Sequence, residues 1–195
     1  SMTNTGSRRN HVAFSDGYLP VRQHIIVHRR NYAVREAADL AGRKVHVRRG
    51  TSYEERLHEL KRQGIDLTIV THPDMPTEEL IRLVAEEKIE ITVADSNIAN
   101  RNRRYYPQAV VAGAISEEEP LGWAVHPEAG RLLARINEFF QTIKANGEFE
   151  EIYDRYYGDV DDFDFVNVRA FHRRLKSRLP RYLGIIQDAA EQNGF

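Results

Sequence analysis

The run Arg48-Arg49-Gly50-Thr51-Ser52-Tyr53 sets two guanidinium groups, a glycine and two hydroxyls where a β-branched strand gives way to a helical pattern. The free N–H groups of a first helical turn, with such side chains beside them, suit a carboxylate or a phosphate. Gly50 permits the close turn. The same residues also read as an ordinary helix start, with Thr51 or Ser52 as the cap and Glu54 or Glu55 completing a capping box; the two roles can coexist. Asp95 is the second candidate, a carboxylate at the end of a strand that shares its rim with Thr51. A zwitterion held between the two, an amino acid or a peptide, would meet opposite charge at each end. Asp95 reads equally as the N-cap of a helix that starts near Ser96.

The remaining chemistry-bearing residues point less far. His24 and His28 share one face of a strand, but no third ligand is identifiable, so no metal is assigned. Arg101, Arg103 and Arg104 beside Tyr105 and Tyr106 compose a basic and aromatic patch, which reads as a solvated helix end in a chain of net charge −1. The adjacent acids Glu117-Glu118-Glu119 and Asp161-Asp162 read as solvated loops, without the apolar setting that raises the pKa of a general acid. There is no Walker A loop, dinucleotide fingerprint, HExxH or nucleophile elbow. No catalytic residue and no cofactor is assigned, and the chain reads as a binder.

The elements that must position these residues alternate strand with helix. Lys44–Arg48 reads as a strand followed by a helix over 51–63, residues 66–71 as a strand followed by a helix that Pro76 opens, and residues 89–94 as a strand followed by a helix from about 96. Three such units in succession predict an α/β fold with a parallel core, whose ligands sit outside the carboxyl ends of the strands. Strands over 22–29 and 121–125 bracket this unit and suggest a hinge. A long helix follows, striped by Leu132, Leu133, Ile136, Phe139, Phe140 and Ile143, then a second containing Phe149, Ile152, Tyr153 and Tyr156. Residues 159–164 (DVDDFD) read as a linker, and 169–176 and 179–192 as helices of another module.

Composition bounds these readings. With 195 residues, 28 basic against 29 acidic side chains and 41% hydrophobic residues, the chain is globular, and bulk charge selects neither nucleic acid nor an anionic membrane. The absence of cysteine excludes disulfides and thiolate chemistry without fixing the compartment. No apolar run reaches the roughly 18 residues of a membrane span. Ser1-Met2 reads as a cleavage scar ahead of a chosen start, so the chain is expected to be a fragment.

Two stretches, Thr3-Asn4-Thr5-Gly6-Ser7-Arg8 and Val12-Ala13-Phe14-Ser15-Asp16-Gly17-Tyr18, resemble the segment of periplasmic amino-acid-binding proteins of ABC transporters in which a threonine and an arginine precede an F-S-x-x-Y stretch. The likeness continues through Gly42-Arg43-Lys44-Val45, the Arg49-Gly50-Thr51-Ser52 turn and Asp95 to Asn146-Gly147-Glu148-Phe149 and Tyr157-Gly158. Within that group, VRRGTSYEERLHEL and the tail beyond Gly158 resemble the solute-binding-like module of membrane-bound lytic murein transglycosylases. The resemblance implies a type II periplasmic-binding-protein-like fold with lobe 1 incomplete, followed by a helical tail. Residues 1–29 would be a remnant of lobe 1 and a hinge strand, 30–120 lobe 2, 121–158 the return strand and lobe 1 helices, and 159–195 a linker and the first helix of a lysozyme-like domain. Arg8 would clasp a ligand carboxylate with Thr3, Thr51 and Ser52, Asp95 would take the ammonium, and Arg48 would reach the ligand. The ligand would be an amino acid or a muropeptide, sensed by a periplasmic parent attached to the outer membrane that cleaves peptidoglycan with a glutamate lying beyond Phe195. This chain itself would be inactive and would contact no nucleic acid, with self-association open to the incomplete lobe. An amino-acid receptor of an ABC transporter is the alternative, and a signalling receptor a third.

Overall fold

The computed structural model describes residues 2–157 together with 182–184, 187, 188 and 190. The chain divides into two compact units, Ser1–Tyr157 and Gly158–Phe195. In the second, the described residues are helical; the linker expected over 159–164 and the helix over 169–176 lie outside the described residues, as does most of that over 179–192.

The first unit is built on a five-stranded mixed sheet. Its strands are β4 (Gln23–His28), β5 (Lys44–Arg48), β6 (Thr68–His72), β7 (Ile91–Asp95) and β8 (Ala109–Ala114), in the spatial order β6-β5-β7-β4-β8. The expected parallel core is β6-β5-β7, with β4 antiparallel to both β7 and β8. The strand expected to bracket this unit over 22–29 therefore lies inside its sheet. The chain instead enters and leaves through β3 (Leu19–Val21) and β9 (Glu119–Gly122), which pair antiparallel with each other while β1 (Met2–Thr3) pairs on the other side of β9. The expected strand over 121–125 is split at Trp123: β9 ends at Gly122, and β10 (Ala124–Val125) pairs with β2 (Ala13–Phe14) in a separate ribbon.

Helices cover both faces of the large sheet, which is why β7 is buried along its whole length. On one face α2 (Ser52–Arg62) lays Tyr53, Leu57 and Leu60, spaced four and three apart, against Ile25, Val27, Val45, Val47, Ile91 and Val93. On the other, α3 (Thr77–Ala85) and α4 (Ser96–Arg103) pack Ile81, Val84 and Ala99 on Ile26, Ala94 and Ala109. The stop of α2 is chemical: Gly64 takes φ 101°, its N–H bonds to the Lys61 carbonyl, and the Ile65 N–H reaches back to Leu60, a Schellman motif.

The helices after β10 are α1's distant neighbours in sequence: α1 (Gly6–Arg9) precedes the sheet, whereas α5 (Gly130–Ala145) and α6 (Glu148–Tyr157) follow it. Of the expected α5 stripe, Ile136, Phe140 and Ile143 are buried against Tyr18, Val125 and Phe149, with the Tyr18 ring stacked on Phe140 at 4.8 Å. Leu132 and Phe139 are exposed.

Candidate functional site

The cavity at the carboxyl ends of β5 and β7 has a volume of about 440 Å³. Thr3, Arg8, Arg48, Thr51, Ser52 and Asp95, the six residues singled out from the sequence, all line it. Parallel pairing of β5 with β7 brings the N-terminus of α2 and the end of β7 to one rim. Pairing of β1 with β9 delivers Thr3 from the far side of the chain, and its hydroxyl lies 3.3 Å from that of Ser52. Arg8 bridges the two segments, donating to the Thr3 carbonyl at 3.2 Å and to the Gly50 carbonyl at 3.3 Å. Gly50 has φ 72°, the left-handed region that a side chain would strain.

The capping expectations resolve in an informative way. Thr51 occupies the N-cap of α2, but its hydroxyl donates back to the Arg48 carbonyl at 2.7 Å. Glu54 does reach back, to the Gly50 N–H at 2.7 Å, one residue earlier than a capping box requires. Asp95 holds the N-cap position of α4, yet its side chain makes no capping bond. That carboxylate is left facing the cavity.

Asp95 is 7% exposed, and its Oδ1 is buried without a hydrogen-bond partner. Burial pushes its carboxyl up to about 6; Glu119 adds to that rise, while a hydrogen bond from the Tyr53 hydroxyl and the Arg8 guanidinium oppose it. Tyr53 is itself held by the Asp95 N–H, which donates to its hydroxyl at 3.1 Å, and burial beside the carboxylate drives the phenol well above its usual range. Among the described residues that line the cavity, three guanidinium groups, those of Arg8, Arg48 and Arg49, stand against the single carboxylate of Asp95.

Several contributors escaped the sequence reading. Tyr53 shares the helical period of Leu57 and Leu60 and so reads as core, while its hydroxyl serves a residue 42 positions away. Glu119, expected in a solvated loop, lies in β9 and accepts a hydrogen bond from the Gln23 amide at 3.3 Å. Its capture is tertiary, made by a strand nearly a hundred residues earlier, so local polarity carried no sign of it. His24 and His28 are engaged separately, His24 with the Gly113 carbonyl and His28 with Glu87 and the Arg30 N–H. Among the described residues no group of three or more potential metal ligands occurs, and no helix is long and apolar enough to cross a membrane.

This architecture is shared with known proteins. An ancestral arginine-binding protein bound to arginine superposes with a TM-score of 0.71 at 25% identity, over 80% of this chain and 69% of that one. A histidine kinase sensor domain with similarity to periplasmic binding proteins shares the fold at a TM-score of 0.69 and 22% identity, over 80% of this chain and 68% of that one. In sequence, the chain is 51% identical over its full length to the membrane-bound lytic murein transglycosylase F of Desulfosudis oleivorans, of which it spans 43%. It is 33% identical over 98% of its length to the protein of the same name from Ectopseudomonas mendocina, of which it spans 40%. The chain thus spans less than half the length of these curated relatives. The profile of one family matches residues 1–159, and by that match the chain belongs to the bacterial extracellular solute-binding proteins, family 3.

Proposed function

We propose that this chain is the ligand-sensing module of a peptidoglycan lytic transglycosylase and that its cleft takes a small zwitterionic ligand, an amino acid or a cell-wall peptide. The observation that carries the reading is Asp95, a buried carboxyl with one oxygen unpartnered, in the lining of a cavity that Arg8, Thr3 and Ser52 also line. A buried acceptor without a donor costs stability, and a ligand ammonium supplies the missing donor. Arg8 and the first turn of α2 take the carboxylate. Arg48 reaches the ligand from the rim. Closure about β3 and β9 would report occupancy, because a ligand held from both sides binds the closed form better than the open one. The family and the relatives support a periplasmic, membrane-associated setting; attachment of the parent to the outer membrane is part of the same proposal.

The charge of the cavity separates this reading from that of an amino-acid transport receptor. Among the described residues that line the cavity, three guanidinium groups accompany one carboxyl, which favours a ligand with more carboxylates than amines and provides no second acid for the side chain of arginine. Calorimetric titration of the chain with an acidic cell-wall peptide bearing a free ammonium group, and separately with arginine, tests it. The peptide is expected to bind, and Asp95→Ala to weaken it at least tenfold. Arginine binding more tightly than the peptide would favour the transport receptor, and a full-length parent whose wall-degrading rate ignores the peptide would end the sensing role.

A further inference from the structure

The groups behind Asp95 are arranged in a way that simple salt-bridge recognition does not need. Gln23 on β4 stands directly opposite Asp95 on β7 in the antiparallel register, so the two side chains leave the sheet on the same face. Gln23 is 2% exposed; its Nε2 donates to the Glu119 carboxylate at 3.3 Å, which fixes the orientation of the amide and turns Oε1 toward a buried space where it has no partner. Gln23 does not line the cavity, and neither does Glu119. Behind the one acid that does lie two further acceptors, one of them formally negative.

We infer that Glu119, pinned by Gln23 behind the ligand-facing carboxyl, is a positioning residue that helps burial hold a proton on Asp95 in the empty cleft at mildly acidic pH, so that an ammonium ligand then enters with release of that proton. The inference rests on the zwitterion reading above. The exchange balances: the Asp95 carboxylic acid gives its O–H proton to solvent, and the carboxylate left behind accepts an N–H bond from the ligand's intact ammonium group. The titratable and charged groups that bear on Asp95 are the Tyr53 hydroxyl from α2, Arg8 from α1 and Glu119 from β9, with Glu78 of α3 acting on Tyr53. From β5 and the turn after it, Arg48 and Arg49 line the same cavity, and α4 contributes the neutral Asn97. His24 neighbours Gln23 on β4 but leaves the opposite face of the sheet. Burial and Glu119 both push the Asp95 carboxyl up, to about 6, which puts the exchange in an accessible pH window.

Two measurements on the same chain test this. The carboxyl of Asp95 is titrated by carbon NMR without ligand, in the parent chain and in Glu119→Gln, whose amide oxygen can still accept the Gln23 bond. Asp95 is expected to titrate near 6 in the parent chain and distinctly lower in the variant. An ordinary carboxyl titration in the parent, or an unchanged one in the variant, overturns the role of Glu119. The acidic peptide is then titrated calorimetrically in buffers of different ionisation heat. Its affinity is expected to fall about tenfold from pH 7 to pH 5, with a buffer-dependent heat that reports proton release and with a flatter pH profile in Glu119→Gln. Binding at about pH 5.5 with no buffer dependence overturns the exchange. No binding of any amine probe at any pH instead overturns the zwitterion reading and the proton release that rests on it, while the NMR titration still decides the part played by Glu119.

Discussion

At the cleft end of the five-stranded sheet Asp95 is buried with a carboxylate oxygen that has no partner, whereas at the far end Glu87 and Glu90, about half exposed, are paired with His28, Arg30 and Arg43. Both ends belong to the same strands: Asp95 closes β7 and Glu90 precedes it, while Gln23 opens β4 and His28 closes it. The core between them is shared and continuous. Exposed ion pairs such as those at the far end contribute little individually, but they leave no buried charge uncompensated. The cleft end keeps a buried carboxyl that a neutral residue of the same shape would make cheaper. Among the described residues the buried side-chain polar atoms without a partner are Asp95 Oδ1 and Gln23 Oε1, both at this end, and such a local violation of polar satisfaction is the kind that accompanies a functional site.

The largest expected effect breaks the packing that supports the cleft end. Gly113 lies in β8 opposite Ile25, beside the register shift between Ile25 and Ile26, and a Cβ built on it would sit 2.1 Å from the Arg35 carbonyl oxygen. No side chain there can yield, because the obstacle is backbone. Gly113→Ala is therefore expected to destabilise by about 3 kcal/mol, at or beyond the upper end of ordinary overpacking, read by chemical denaturation. Glycines with open surroundings, such as Gly6, should tolerate the same change.

That contact also illustrates what the sequence could and could not tell. The strands β5 and β7 were legible from their β-branched runs, the helices α2 and α3 from the boundaries Gly50 and Pro76 and the apolar stripe of α3, and α4 from the Asp95-Ser96 pair that follows a strand. Residues 109–114, AVVAGA, offer no alternation, and nothing local says that the glycine is required by a carbonyl from residue 35. The antiparallel insertion of β4 beside β7 is likewise a choice of topology, which periodicity does not encode. At the site, charged residues next to turns drew attention to Arg48, Thr51, Ser52 and Asp95 from their local setting, and family resemblance added Thr3 and Arg8. The sequence assigned no role to Tyr53 or Gln23 and placed Glu119 in a solvated loop, because each matters only through a partner brought close by folding.

The second effect sharpens the contrast between the ends. A carboxyl whose folded pKa is raised favours the folded state while protonated: that contribution is complete below the ordinary carboxyl range and is lost as pH rises through about 6. Asp95→Asn keeps the shape and removes the charge. The ligand-free variant is expected to be more stable than the parent chain by about 1–3 kcal/mol at pH 8, at roughly 1.4 kcal/mol per pKa unit, and no more stable at pH 3. Thermal unfolding at the two pH values measures it, and a stabilised variant that has lost its ligand would show that the cleft end trades stability for binding.

The smallest effect lies at the far end, where α3 stops as α2 does but with the wrong residue. The Glu87 N–H bonds to the Val84 carbonyl and the Lys88 N–H to Leu83, the bond pattern that Gly64 and Ile65 make after α2. Glu87 nevertheless holds φ 58°, a left-handed conformation that costs a residue with a Cβ about 1 kcal/mol or more. Glu87→Gly relieves that strain. Against it stand the greater freedom of glycine in the unfolded chain and the loss of contacts to His28 and to Arg30, which is itself 78% exposed. The net gain is expected to be about 0.5 kcal/mol, visible as a rise of a few degrees or less in Tm. Ligand affinity should not change, since the residue sits at the opposite end of the sheet from Asp95. A Glu87→Gly chain that bound the peptide differently would mean that the two ends are coupled through the strands they share, and that the far end is more than a stabilising edge.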